Sequence, residues 1–178
     1  MMRTFISVDI PLTDAIKEAL DEMKRTDNVR PVPEGQMHLT LKFLGDQDER
    51  KVEKLCSSLK DTLNGTEPCD IVVEGVGAFP DMRRPKVVWL GVKDPESLIG
   101  LAKKVDSAVK RMKLKSDDKR FSPHITIGRV NGRAELDDFF SRYKGIEFCR
   151  FRCDHVDVMK SVLTPKGAIH SVVKRIEL

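Results

Sequence analysis

The chain has 178 residues and a formal charge of +4, with 40% hydrophobic and 34% charged residues. That is room for one sizeable core or two small fused lobes, and the balance excludes a disordered chain. No apolar run approaches the length of a bilayer span, and the mild basicity suits a polyanionic substrate without demanding one.

In chain order, residues 3–10 read as a strand of β-branched and aromatic residues closed by Pro11. Asp9 interrupts this apolar stretch, so it reads as a strand and not as a signal peptide. Over residues 13–26, Ile16, Ala19, Leu20 and Met23 recur at helical spacing, with Thr13 as the N-cap. A proline-containing connector, residues 30–35, leads to an alternating run over 37–44. A second helix, about 47–63, carries Val52, Leu55, Leu59 and Leu63 on one face and stops at Asn64-Gly65. A strand follows at 70–76.

The second half repeats this order. A strand at 86–92 precedes a helix over 95–112 that buries Leu98, Leu101, Val105 and Val109. A charged connector, 113–120, leads to a second alternating run, 121–130. A short helix (134–143) and two strands (148–159 and 168–177) complete the chain, the strands joined by a turn at 164–167. Element order therefore predicts an α+β fold over residues 1–178: a bilobal, duplicated unit with pseudo-repeats of about 1–82 and 83–178. A doubly wound parallel sheet is the alternative, but no Gly-rich phosphate loop follows any strand. The four cysteines, Cys56, Cys69, Cys149 and Cys153, lack metal-site spacing and read as free thiols in a reducing, cytoplasmic setting. The basic run Arg83-Arg84-Pro85-Lys86 and the lysines after it read as a solvated surface, or else as a groove edge that attracts phosphates.

Each alternating run carries His-x-Thr-x, at His38-Leu39-Thr40-Leu41 and at His124-Ile125-Thr126-Ile127. With four His and eight Thr in the chain, chance gives about 0.2 such His-x-Thr pairs. Alternation along a strand puts His38, Thr40 and Lys42 on one face and Leu39, Leu41 and Phe43 on the other. It likewise puts His124 and Thr126 together and Ile125 and Ile127 toward a core. Two imidazoles and two hydroxyls around one cleft suit a phosphodiester. One ring accepts the proton of the attacking water, the other protonates the leaving oxygen, and the hydroxyls hold the non-bridging oxygens.

These motifs resemble the 2H phosphoesterase superfamily. Within it, the chain is similar to the RNA 2′,3′-cyclic phosphodiesterases, also called 2′-5′ RNA ligases. The likeness extends through Phe43-Leu44-Gly45, Gly77-Ala78-Phe79-Pro80, residues 85–92 and Phe121-Ser122-Pro123 to Arg129. It implies a LigT-like fold, with antiparallel sheets flanking a central cleft and helices outside. The implied reaction is metal- and cofactor-independent hydrolysis of an RNA or nucleotide 2′,3′-cyclic phosphate to the 2′-phosphomonoester by a monomer free of membranes. By the same resemblance His38 is the proton donor, His124 the proton acceptor, and Thr40, Thr126 and Arg129 bind the phosphate. Strict alternation opposes Arg129, which reaches the site only if the strand ends or bulges near Gly128. Such proteins commonly carry Tyr where this chain has His170; His170 and His155 read as structural or exposed. Phe5, Phe79 and Trp89 read as core. The same site could run the reverse reaction, 2′-5′ RNA joining, and a non-catalytic RNA-binding module is a reading of a different class.

Overall fold

The computed structural model describes residues 1–178. The strands are β1 (Met2–Asp9), β2 (Val29–Pro31), β3 (His38–Gln47), β4 (Cys69–Phe79), β5 (Val87–Lys93), β6 (Ile125–Val130), β7 (Glu147–Cys153), β8 (His155–Thr164) and β9 (Gly167–Glu177). The helices are α1 (Asp14–Arg25), α2 (Glu49–Leu63), α3 (Glu96–Arg111) and α4 (Asp137–Tyr143). All strand pairs are antiparallel. The sheet order is β7-β4-β5-β6-β3-β1-β8-β9, with β2 against β6. This is an α+β architecture, and it rules out the doubly wound parallel alternative.

The helices form where apolar spacing and caps coincide. The Thr13 hydroxyl accepts from the Ile16 N–H at 3.3 Å, and the Asp48 carboxylate accepts from the Arg50 N–H at 2.9 Å. Both α1 and α2 bury the apolar residues that the spacing singled out. α1 packs over β2, β6 and β7, and α4 over β4; α2 and α3 pack on each other and cover β9 and β3. No helix is long and apolar enough to cross a membrane.

The two halves of the chain exchange strands. β4, from the first half, lies between β5 and β7, while β8, from the second, pairs with β1. At the middle of the order, β3 and β6 meet through a single residue pair, Leu39 with Ile125, both fully buried. The expected connector at 30–35 instead begins with the last two residues of β2, whose Pro31 sits opposite Gly128. The expected strand over 148–159 is two strands broken at Asp154, the second running on to Thr164.

Each motif strand carries a bulge at the fourth position of His-x-Thr-x. Ser7 pairs with Thr40 but Ile6 pairs with Lys42, which leaves Leu41 as the extra residue. Trp89 pairs with Thr126 but Val88 pairs with Gly128, which leaves Ile127 as the extra residue. A bulge shifts the alternation by one, so the side chains that follow change face, on β3 as far as a second bulge at Leu44. Gly128 therefore points toward α1, where an added Cβ would lie 3.1 Å from Val29 and 3.3 Å from Met23.

Beside this strand, Trp89 lies across Gly77, its partner on β4. A Cβ on Gly77 would fall 2.2 Å from the indole ring, so a side chain there forces the ring to move. Gly77→Ala is expected to lower the unfolding free energy by about 1–3 kcal/mol. Because Trp89 is the sole tryptophan, its emission spectrum should shift in the folded variant. Wild-type emission and stability would show that the ring does not rest on Gly77.

Candidate active site

The Leu39–Ile125 pair fixes what faces what. Counting one residue outward in antiparallel register sets His38 beside Thr126 and Thr40 beside His124. Each imidazole thus stands next to the hydroxyl of the other motif. Neither threonine hydroxyl is used in a hydrogen bond within the protein, and both side chains are half-buried.

The two rings are held alike. His38 Nδ1 lies 2.9 Å from the Gln36 carbonyl oxygen, and His124 Nδ1 lies 2.7 Å from that of Ser122. A carbonyl can only accept, so Nδ1 carries the proton in each ring. In the neutral rings this leaves Nε2 with its lone pair free for proton transfer. Aromatic rings back both: Phe5 lies 4.8 Å from His38 between centroids, and Phe79 stands edge-on to His124 at 4.9 Å.

Burial pushes the His38 pKa down to about 4. Its hydrogen bond to Gln36 works the other way, while positive charge on His170, His124 and Arg129 adds to the lowering. In the free protein near neutral pH, His38 is therefore an uncharged ring, poised among groups that would welcome an anion.

The bulge at Ile127 places Arg129 on the cleft face, and its guanidinium has no carboxylate partner there. The condition set by the sequence is met one residue earlier than Gly128. The matching bulge at Leu41 reverses two expectations on β3. Lys42 points away from the cleft, 2.9 Å from Asp106 of α3, and donates to the Asp117 carbonyl at 2.6 Å. Phe43 turns into the cleft, next to Phe5 at 5.9 Å between centroids, and is 48% exposed. Phe79 is not a core residue either: it is 37% exposed and stacks between Trp89 and His124. Phe5 is buried as expected.

His170, read from the sequence as structural or exposed, lies half-buried beside His38. Its ring meets His38 edge-on at 5.0 Å and Phe5 at 4.9 Å. Burial and the charge of Arg3 lower its pKa. No motif marks it, because β9 reaches β1 only through β8. Beside His38 and His170 lies a cavity of about 190 Å³, lined also by Ser7, Gln36, Met159 and Ser171. His155 stands in an ion network instead. Its ring nitrogens donate to Asp154 at 2.6 Å and Asp9 at 2.8 Å. Burial opposes its charge, but the carboxylates prevail and raise its pKa. Asp9, His155 and Asp157 could converge on a cation, but Arg175 already donates to Asp157 at 2.9 and 3.0 Å.

The low His38 pKa makes a stability prediction. Its folded pKa lies below the ordinary value of 6.5, so the unfolded chain takes up this proton first as pH falls. The His38 contribution is full above about pH 6.5 and is lost progressively down to about pH 4, by roughly 3 kcal/mol. The difference in unfolding free energy between wild type and His38→Gln, followed by denaturant titration, should change over that window. A constant difference would show that His38 is not desolvated.

The sequence pattern that defines the 2′-5′ RNA ligase superfamily matches residues 12–164. The chain is 35% identical to an RNA 2′,3′-cyclic phosphodiesterase of Methanothermobacter thermautotrophicus, covering 96% of this chain and 95% of that one. It is 34% identical to one of Archaeoglobus fulgidus, covering 99% and 100%. In structure it is similar to the protein TT0787 of Thermus thermophilus, with a TM-score of 0.85, 26% identity, and 99% and 98% of the two chains covered. The chain belongs to the 2′-5′ RNA ligase superfamily.

Proposed function

We propose that the chain hydrolyses RNA 2′,3′-cyclic phosphodiester ends to 2′-phosphomonoesters, without a metal, by acid–base catalysis at His38 and His124. The observation that carries this reading is the crossed register that sets each imidazole beside the other motif's free hydroxyl, with unpaired Arg129 on the same face. The bound phosphate lies among the Thr40 and Thr126 hydroxyls and the Arg129 guanidinium, which donate to its non-bridging oxygens. His124 Nε2 takes a proton from water as its oxygen attacks phosphorus. The P–O3′ bond breaks, and His38 Nε2 protonates the departing 3′-oxygen. Solvent then returns the proton from His124 to His38.

The donor role of His38 requires a proton that the free protein does not hold near neutral pH. The substrate supplies the condition for it: an anionic phosphodiester between His38, His124 and Arg129 favours the charged ring, against the burial and the nearby positive charge that keep it neutral. The same loss of charge repulsion favours binding. One chain contains both motifs, so a monomer suffices.

Pure protein in chelator, given an oligonucleotide with a 2′,3′-cyclic phosphate end, is expected to yield only the 2′-phosphate. Activity lost to chelator and restored by a divalent metal would overturn the metal-free reading. His38→Ala and His124→Ala should each cost roughly 100- to 10,000-fold in kcat. The acid limb of kcat/KM should fall near pH 4, where His38 titrates in the free protein. A substrate with sulfur replacing the 3′-oxygen separates the roles, because a thiolate leaves without a proton. It should restore His38→Ala and leave His124→Ala impaired; the opposite pattern would exchange donor and acceptor.

A further inference from the structure

The two carbonyls that orient the imidazoles are not secured alike. The Gln36 carbonyl, which accepts the His38 Nδ1–H, lies in a single 3-10 turn, Glu34–Gln36, closed by one bond from the Gln36 N–H to the Pro33 oxygen at 2.9 Å. One such turn is a weak support on its own. The Gln36 side chain, however, reaches β9, 134 residues along the chain. Its Oε1 accepts from the His170 N–H at 2.5 Å, and its Nε2 donates to the His170 carbonyl at 3.4 Å and to Gly35 at 3.1 Å. β9 is the last strand of the sheet, so the outward peptide groups of His170 have no strand to meet. The carboxamide takes the place of that strand.

We propose that Gln36 is a positioning residue that clamps the His38 turn to the sheet edge, fixing His38 as its Nδ1–H tautomer with Nε2 toward the phosphate. The link is continuous: β9 backbone, Gln36 side chain, Gln36 carbonyl, His38 Nδ1. The same contact seats the His170 ring edge-on against His38. The other imidazole has no such dependence, because the Ser122 carbonyl that holds His124 follows a different connector.

The importance of the clamp for turnover rests on the reaction proposed above, but its geometry can be read without it. Imidazole ¹⁵N chemical shifts at neutral pH report the tautomer of each ring. In wild type, His38 and His124 should both be Nδ1–H. Gln36→Leu removes both side-chain bonds to His170, and Gln36→Asn is polar but one methylene too short to span to β9. In either variant His38 should shift toward a mixture with the Nε2–H form, while His124 stays as it was. Values of kcat should fall about 10- to 100-fold, as when a group that orients a functional imidazole is lost, with KM unchanged. A folded variant of either kind with the wild-type His38 tautomer and wild-type kcat overturns the proposal. A shifted tautomer in a chain without phosphodiesterase activity upholds the clamp and rejects the function; an unshifted tautomer with full wild-type activity upholds the function and rejects the clamp.

Discussion

One residue pair, Leu39 with Ile125, joins the β7-β4-β5-β6 array, with β2 beside β6, to the β3-β1-β8-β9 array in a continuous sheet. An antiparallel pair is symmetric about its own centre, so two copies of one tripeptide, His-x-Thr, meet head to tail across it. The imidazole of each falls beside the hydroxyl of the other. The bridging side chains are buried, so a slip of one residue would turn apolar side chains to the cleft and histidines to the core. Core packing and site geometry are thus the same constraint seen from opposite faces of the sheet.

The bulges that follow do what a regular strand cannot. Leu41 and Ile127 each stay in the core while the pleat resets behind them. Past the reset, Phe43 and Arg129 occupy equivalent cleft positions, and Lys42 and Gly128 equivalent positions toward the helices. The first pair offers an apolar ring on one flank and a cation on the other. Phe43 and Phe79 are both exposed, and their separation onto different strands explains why no aromatic array is visible along the sequence. Lys42, turned inward, neutralises Asp106 and ties the loop at Asp117 to β3.

Much of this was legible in the residues. Helix faces follow from spacing: the buried residues of α1 and α2 are those the 3.6-residue period selects. The histidines and threonines follow from strand alternation, which holds as far as the fourth motif position. It fails at Lys42 and Phe43 because a bulge depends on the partner strand and leaves no local mark. Arg129 was recoverable only as a condition, since the glycine permits a bulge without requiring one. β2 escaped because three residues ending in proline carry no period. The positions of His170 and Gln36 beside His38 escaped because they arise from a contact between residues 134 apart in the chain. That β4 and β8 lie beside strands of the other chain half is likewise a property of pairing, which element order alone leaves open.

The electrostatics bind these parts together. Burial against Phe5 and His170 keeps His38 neutral, and the surrounding positive charge makes an anion the natural occupant of the cleft. In the proposed reaction one phosphate is shared by both motifs. A crystal structure with bound vanadate or phosphate tests it most directly. An oxyanion is expected within hydrogen-bond distance of Nε2 of His38 and His124 and of both Thr40 and Thr126 hydroxyls, with Arg129 on one oxygen. An anion held by only one motif, or seated on the basic run at Arg83 and Arg84 with the cleft unoccupied, would contradict it.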